Sequence, residues 1–316
     1  MRYFVLYGIL LLSLGVKGQI EPSFEQYHFN QLIFNPAYAG QKGDLEVAAF
    51  GRRQWVDIDD APSTESITIH TQLANGKIGL GGKLLHDNVG VSDKYTFALD
   101  YAYRMYTGSG VLSVGLELAA SQYNLNYARL DAFQSGDPAF TGVPEQLCSF
   151  NAGMGMWFQN KVWFVGASVP QLIAYNDNIA AGVDSVLNNL NLFDQQRNYF
   201  VTTGVLIRAG DNLSFKPYVL ARYDGASPLV VDNTLSLIFA DAFWLGGTYR
   251  TDGSISLMAQ YLLDAGNTLQ DQWLGIGYAY NQRLDAFSAV FGPTHELFIS
   301  FHLDKRTTRF TSPRFF

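Results

Sequence analysis

The chain has little charge, almost no cysteine and, past its first residues, no long hydrophobic run. Only 16% of its 316 residues are charged, while 48% are apolar and 15% aromatic; soluble domains carry about a quarter charged residues. The single cysteine, Cys148, excludes an internal disulfide and has no companion for a metal site. It reads as a small buried or lipid-facing residue. A net charge of -7 offers no basic stripe for nucleic acid. The five histidines, His28, His70, His86, His295 and His302, show no close ligand spacing. His295-Glu296 lacks the second histidine of a zinc helix, and no Gly-x-Ser-x-Gly elbow is present. Ser300 and His302 share a strand face, but an offset of two makes them neighbours rather than a tuned pair. Gly79 to Gly82 lacks the Lys-Ser/Thr of a phosphate loop. No catalytic residue, cofactor or metal ligand is therefore assigned, and an enzyme is not expected.

What is present begins with a leader. Arg2, the apolar run Val5 to Leu14 and Val16-Lys17-Gly18 form a secretory signal peptide over 1–18, with Gln19 as the expected mature start. Its run is shorter than the roughly 20 residues a spanning helix needs. Losing Arg2 and Lys17 takes the net charge to -9. An exported chain this apolar, with no spanning helix, is either a secreted β-protein with a large core or a transmembrane β-barrel.

Alternation favours the barrel. Tyr95, Phe97, Leu99, Tyr101 and Tyr103 fall on one face, and Thr96, Ala98, Asp100, Ala102 and Arg104 on the other. After Thr107-Gly108-Ser109-Gly110, Leu112 to Leu118 repeats the pattern. Fourteen such segments are expected: 45–54, 65–73, 77–86, 94–104, 111–121, 147–158, 161–168, 198–208, 213–223, 230–240, 243–250, 254–262, 273–281 and 296–303. Most have about 8–12 residues, the length a tilted strand needs to cross a bilayer. Short connections alternate with long ones, the longest being 122–146, 169–197 and 282–295. That sorting is expected of an outer-membrane barrel, with turns inside and loops outside. Two connections reverse it, the short 251–253 and the longer 264–271. Trp55, Tyr101, Tyr103, Trp157, Phe158, Trp163, Tyr199, Trp244, Tyr249 and Trp273 gather near strand ends, as rings of interfacial girdles do.

The fold expected is all-β, a transmembrane antiparallel barrel of about fourteen strands over 45–304, with a tail at 305–316. Its polar face would line the lumen with Asp100, Arg104, Glu117, Arg222, Glu296 and His302, together with His70, Gln72, Lys83, Arg208, Lys216, Arg250 and Gln260. These mix signs, which fits either a water-filled channel or a lumen closed by its own polar network. Residues 19–44 are too apolar for a disordered arm and fit no single period, with Asn30 and Asn35-Pro36 as turn residues. They are a candidate plug or cap. Asp59-Asp60-Ala61-Pro62 and Gly136-Asp137-Pro138 read as loop turns, with cation or lipopolysaccharide contacts as the alternative.

Specific motifs go further. Gln26-Tyr27-x-Phe29-Asn30-x(4)-Asn35-Pro36-Ala37-Tyr38-Ala39-Gly40 resembles the N-terminal signature of the PorP/SprF family of Bacteroidetes outer-membrane proteins. Arg53-Gln54-Trp55, followed by Ala61-Pro62-Ser63-Thr64, resembles its next block. His295-Glu296-Leu297 and the tail Ser312-Pro313-Arg314-Phe315-Phe316 are similar as well. The resemblance spans essentially the whole mature chain. It implies a cell outer-membrane barrel of the type IX secretion system. Such a barrel assists secretion, or cell-surface anchoring, of a client that bears a type IX C-terminal sorting domain. In some members the client is a gliding-motility adhesin. Implied partners are that client, other type IX components, and outer-membrane lipid and lipopolysaccharide. The loops 55–64, 122–146, 169–197 and 282–295 would engage the client. The alternative function is a porin or channel for small solutes.

Overall fold

Strict alternation of apolar and polar residues dictates the architecture. In Ser63–Leu73, Ile67 and Ile69 are half exposed while Ser66, Thr68 and His70 are buried. The same reversal of the soluble pattern recurs around the molecule. Leu118 is 69% exposed and Leu257 62%, beside buried Glu117 and Ser256. An apolar surface this continuous is stable only against lipid.

The computed structural model describes residues 24–126, 145–173, 196–225, 227–264, 270–284, 288 and 291–305. The strands are β1 (Leu45–Arg53), β2 (Ser63–Leu73), β3 (Ile78–Val89), β4 (Ser92–Thr107) and β5 (Gly110–Leu125). Then come β6 (Glu145–Gln159), β7 (Trp163–Val169), β8 (Tyr199–Val205), β9 (Ile207–Arg208) and β10 (Leu213–Tyr223). β11 (Val230–Phe239), β12 (Phe243–Arg250), β13 (Ser254–Asp264), β14 (Gln270–Arg283) and β15 (Thr294–Lys305) complete the set. Each pairs antiparallel with its sequence neighbour, and β15 closes on β1. β8 and β9 both pair with β10 and are one strand interrupted at Leu206, so the closed barrel has fourteen strands.

That interruption departs from the continuous 198–208 segment expected. The register sets Pro217 opposite Val205. Proline has no N–H to give the ladder, while on the β7 side the Leu206 N–H still donates to the Val162 carbonyl at 2.7 Å. β4 and β5 run sixteen residues each, longer than a crossing requires, because their hairpin pairs on past the apolar band to Leu125.

The chain termini of the barrel and the connections 74–77, 108–109, 160–162, 209–212 and 240–242 share one rim, here the turn rim. The strand ends that flank 54–62, 126–144, 170–198, 224–229 and 284–293 share the other, the loop rim, which also holds the tight turns 90–91 and 251–253. Of the loops, 127–144 and 174–195 lie outside the described residues, as do the leader and the tail from 306.

Exposed rings form bands near both rims. Tyr101, Tyr103, Trp163 and Tyr261 lie toward the turns, and Tyr95, Tyr199, Tyr223 and Tyr249 toward the loops. Trp157 and Trp244 do not join them. They are 1% and 4% exposed and point inward. Trp157 and Phe158 are adjacent on a strand, so pleating must send them to opposite faces.

Candidate functional site

Residues 24–44 run inside the barrel. Three short 3-10 turns, Tyr27–Phe29, Gln31–Ile33 and Pro36–Tyr38, carry the segment. Asn30 and Asn35 start the second and third by accepting the backbone N–H two residues on, from Leu32 at 3.2 Å and Ala37 at 3.0 Å. Pro36 supplies a preset φ for the third turn. These compact turns account for the missing period. The segment has no outer face to leave polar, because every side is wall.

The wall meets it with hydrogen bonds from all round the circumference. The Glu296 carboxylate on β15 accepts the backbone N–H groups of Glu25 and Gln26, each at 2.8 Å. The Glu25 carboxylate in turn accepts from Arg250 on β12 at 3.2 and 3.3 Å and from Ser256 on β13. Tyr27 bonds Thr234 on β11 at 3.3 Å. Asn30 donates to Thr68 on β2, and Gln31 to the Tyr218 hydroxyl on β10. Lys83 on β3 donates to the Leu32 carbonyl at 3.1 Å, and Ser168 on β7 to that of Phe34 at 2.7 Å. Asn35 donates to the Met156 carbonyl on β6 at 3.1 Å. Gln41 donates to Ser113 on β5 at 2.6 Å. A segment tied to so many strands of one closed sheet lies across its lumen.

Direction follows from these partners. Glu25 sits level with Arg52, Arg250 and Glu296, near the loop rim. Gln41 meets Arg104, which also donates to Gln72 and to the Gly76 carbonyl of a turn. The segment therefore descends from the loop half to the turn rim, and Gly40, at φ +74°, begins the reversal into β1.

Close approach is made possible by a row of small residues. Gly79, Ala102, Gly115, Gly155 and Ser168 are successive register partners across β3 to β7. A Cβ on Gly79 would overlap the Ala39 carbonyl, one on Gly115 the backbone of Pro36 and Ala37, and one on Gly155 the Asn35 side chain. Elsewhere the wall is aromatic. Phe29 stacks on Phe298 at 5.6 Å between ring centroids, Phe34 on Phe200 at 5.3 Å, and Tyr38 meets Trp157 edge-on at 5.0 Å. The segment's rings cover wall rings more than one another.

Charges inside are arranged by register. Asp100 stands opposite Glu117, a repulsive pair on its own, and Lys83 joins both, 3.3 Å from Asp100. Asp232 stands opposite Arg250, which donates to it at 2.8 Å, and Arg222 reaches the same carboxylate at 3.3 Å. Glu46 lies between His70 and His302 in one row across β2, β1 and β15. His70 bonds Glu46 at 2.6 Å and accepts the Gly40 N–H at 3.1 Å on its other nitrogen, which places the ring proton toward Glu46.

The residues singled out from sequence sit as follows. Gln26, Tyr27, Phe29, Asn30, Asn35, Pro36, Ala37, Tyr38 and Gly40 are all buried. Asp100, Arg104, Glu117 and Glu296 are buried in the lumen, while Arg222 and His302 are partly buried there. Arg208 is exposed at the turn rim. In the first loop, Arg53 is exposed and Arg52 donates to Gln54 at 2.7 Å. Trp55 packs against Phe291 with ring centroids 4.7 Å apart and the planes tilted by 33°, joining this loop to 284–293, and the Gln54 N–H donates to the Pro62 carbonyl at 2.9 Å. Thr64 is buried and donates to Asp87 at 2.6 Å. Glu25, Gln31, Gln41 and Glu46 are further participants that parity and motif did not single out.

His302 reaches Ser300 at 3.2 Å and Glu46 at 3.5 Å through the same Nε2. A relay needs one partner on each ring nitrogen, so this group is a packed polar cluster. Among the described residues no group of His, Cys, Asp and Glu is arranged to hold a metal ion.

The sequence matches the model of one protein family, described as type IX secretion system membrane protein PorP/SprF, over residues 16–301. No curated protein matches it. Solved structures with similar folds include the Acinetobacter baumannii outer membrane protein Omp33, 8% identical, TM-score 0.43, covering 84% of this chain and 99% of that one. The CymD monoaromatic hydrocarbon channel is 10% identical, TM-score 0.46, covering 93% and 95%. A Pseudomonas aeruginosa FadL homologue is 9% identical, TM-score 0.42, covering 90% and 94%.

Proposed function

The chain belongs to the PorP/SprF family of type IX secretion system membrane proteins, and from that premise we propose that it is a plugged receptor barrel rather than a pore. It sits in the outer membrane, and in this reading its loop rim binds an exported polypeptide with a type IX C-terminal sorting domain. It thereby assists that client's secretion or holds it at the cell surface; a gliding-motility adhesin is one such client. Residues 19–44 are the plug, and 54–62, 126–144, 170–198 and 284–293 form the engaging surface. Other type IX components, outer-membrane lipid and lipopolysaccharide are the remaining partners.

The observation that carries this reading is the ring of hydrogen bonds fixing 24–44 to strands on every side of the lumen. A solute channel needs an open path, and here a stretch of the chain itself lies across the lumen, bonded to the polar wall. The joined loops at Trp55 and Phe291 add a built surface at the rim.

The test is affinity purification of the full-length protein from native outer membrane in mild detergent. One sorting-domain protein should co-purify in stoichiometric amount, and shortening 174–195 should reduce the yield. Recovery of the barrel with no sorting-domain protein, or capture indifferent to every loop deletion, refutes the client-binding role.

A further inference from the structure

Closure of β15 on β1 leaves the barrel proper without an edge, but one strand overtops its neighbour. β6 pairs with β5 as far as Glu145, whereas its ladder with β7 ends at Met154 and Val169. The residues after β7 account for the stop. Pro170 has no N–H for the next bond to β8, and that pairing ends at Ser168 and Phe200. The chain has by then crossed inward over Gly153, where a Cβ would overlap the Pro170 backbone. The Leu172 N–H donates once more to the Ala152 carbonyl at 2.8 Å. The buried Asn151 side chain then takes both main-chain groups of Ile173, each at 3.0 Å, and holds the chain off the strand edge. Among the described residues, none pairs with this side of β6 above Ala152. We propose that the edge at Gln146 and Cys148 takes an extended strand of the exported partner polypeptide. The inference rests on the reading that the loop rim engages such a polypeptide, and it names where and through which groups.

Three features select a strand. The first is direction. Ala152 points its carbonyl to the β7 side, so alternation points the N–H and C=O of Gln146 and Cys148 there too, and those of Leu147 and Ser149 toward β5. Donors and acceptors at that spacing match another main chain, and neither a lipid headgroup nor hydrocarbon reproduces them. The second is height. On β5 the outward residues Val114, Leu116 and Leu118 give way to Gln122 and Asn124, the register partners of Cys148 and Gln146. The Gln122 amide donates to Asn124 at 3.1 Å on the exposed face. The edge therefore stands in water above the apolar band, between the two longest loops, 126–144 and 170–198. The third is the lack of protection. Edge strands are ordinarily guarded by proline, lysine or a bulge; Gln146-Leu147-Cys148-Ser149-Phe150 has none of these. Phe150, 70% exposed just below, offers an outward ring to a neighbouring apolar side chain. The occupant is thus a stretch of about five residues, polar at its upper end and aromatic or branched at its lower end.

The test is hydrogen–deuterium exchange on the full-length protein in lipid nanodiscs, read by mass spectrometry with fragmentation to single amides. It compares the barrel alone with the barrel carrying the sorting-domain protein that co-purifies with it. Alone, the Gln146 and Cys148 amides should exchange fast, and those of Leu147 and Ser149 slowly. With the client bound, Gln146 and Cys148 should slow by about 10-fold or more. Cys148→Pro removes one edge donor and leaves the β5 side of the ladder intact, so client capture should fall about 5-fold, as loss of one hydrogen bond requires. Heat-modifiable gel mobility verifies the fold of the variant, and exchange in the wild type keeps the test decisive if the variant does not fold. Slow exchange at Gln146 and Cys148 in the barrel alone, relieved by deleting 174–195, gives the edge to the chain's own loop and overturns the proposal. Protection that rises with the concentration of the barrel alone gives it to a second copy and overturns it too. If a client is bound and both amides still exchange fast, the strand addition is wrong and the receptor role stands. If no client co-purifies, the receptor role itself fails, and this inference with it.

Discussion

Lys83 shows what single residues do in this lumen. Its ammonium lies between two carboxylates that the register forces together, and it also holds the Leu32 carbonyl. Lys83→Met leaves Asp100 and Glu117 buried and facing each other, a defect of about 3–5 kcal/mol. The midpoint of denaturant unfolding should fall accordingly, and adding Asp100→Asn and Glu117→Gln should recover most of the loss. No recovery in the triple variant would mean that the lysine acts through packing alone. His28 supplies a pH dependence. The ring is 3% exposed, and neither nitrogen has a partner in the protein. Burial first, then the Lys216 and Lys42 cations, hold it well below its ordinary value of 6.5. The docked form therefore keeps the neutral ring while the undocked form takes up a proton. Docking strength is complete above about pH 6.5 and declines as the pH falls below it, by at most about 1.4 kcal/mol per unit. Protease protection of 24–44 should drop between pH 7.5 and 5.5, and His28→Leu should remove most of that difference. Equal loss in both proteins would trace the effect to the carboxylates.

At the scale of elements, the strands were legible and their guest was only partly so. Fourteen alternating segments announce fourteen strands because the side-chain period of two is written on every one, as in Tyr95 to Arg104. Asp100, Arg104 and Glu117 follow from parity for the same reason. Two things were not legible. Strand 15 pairs with strand 1 only once the barrel closes, so the row His70–Glu46–His302 has no local signal. The segment's contacts with the wall are all long-range, and the glycines that admit it look like ordinary small barrel residues. Gly79, Gly115 and Gly155 become a shelf only when register aligns them. That shelf yields a prediction about an element rather than a residue. Gly115→Leu should eject the third turn, Pro36–Tyr38, while the barrel still pairs, because the outer face and ladder are untouched. Planar-bilayer recordings should show low conductance for the full-length protein. They should show large steady conductance after deletion of 19–44, and flickering openings for Gly115→Leu. A full-length protein already as conductive as the deletion would show that the segment does not block the lumen.

For the whole molecule, closure and asymmetry of the rims set the orientation. The barrel has no free edge to protect, since β15 meets β1 along nine residue pairs. Its polar interior is stabilised by the segment, and its apolar exterior by lipid, so neither face resembles a soluble core. Short turns and both barrel termini lie on one rim, as expected for the periplasmic side. Glu25, near the start of the segment, lies in the opposite half, bound to Arg250 and Glu296. Orientation is open to direct measurement in intact cells with a membrane-impermeant maleimide, in a Cys148→Ser background. A cysteine replacing Asp57 or Asp252, at the loop rim, should label without breaking the cells. One replacing Ser109 or Asp211, at the turn rim, should label only after the outer membrane is permeabilised. Asp57 and Ser109 are the informative pair, because their flanking strands differ in length and the two positions share no contact. Labelling of Ser109→Cys in intact cells with protection of Asp57→Cys would invert the barrel. The loop surface would then face the periplasm, and the client would have to be met before export rather than after it.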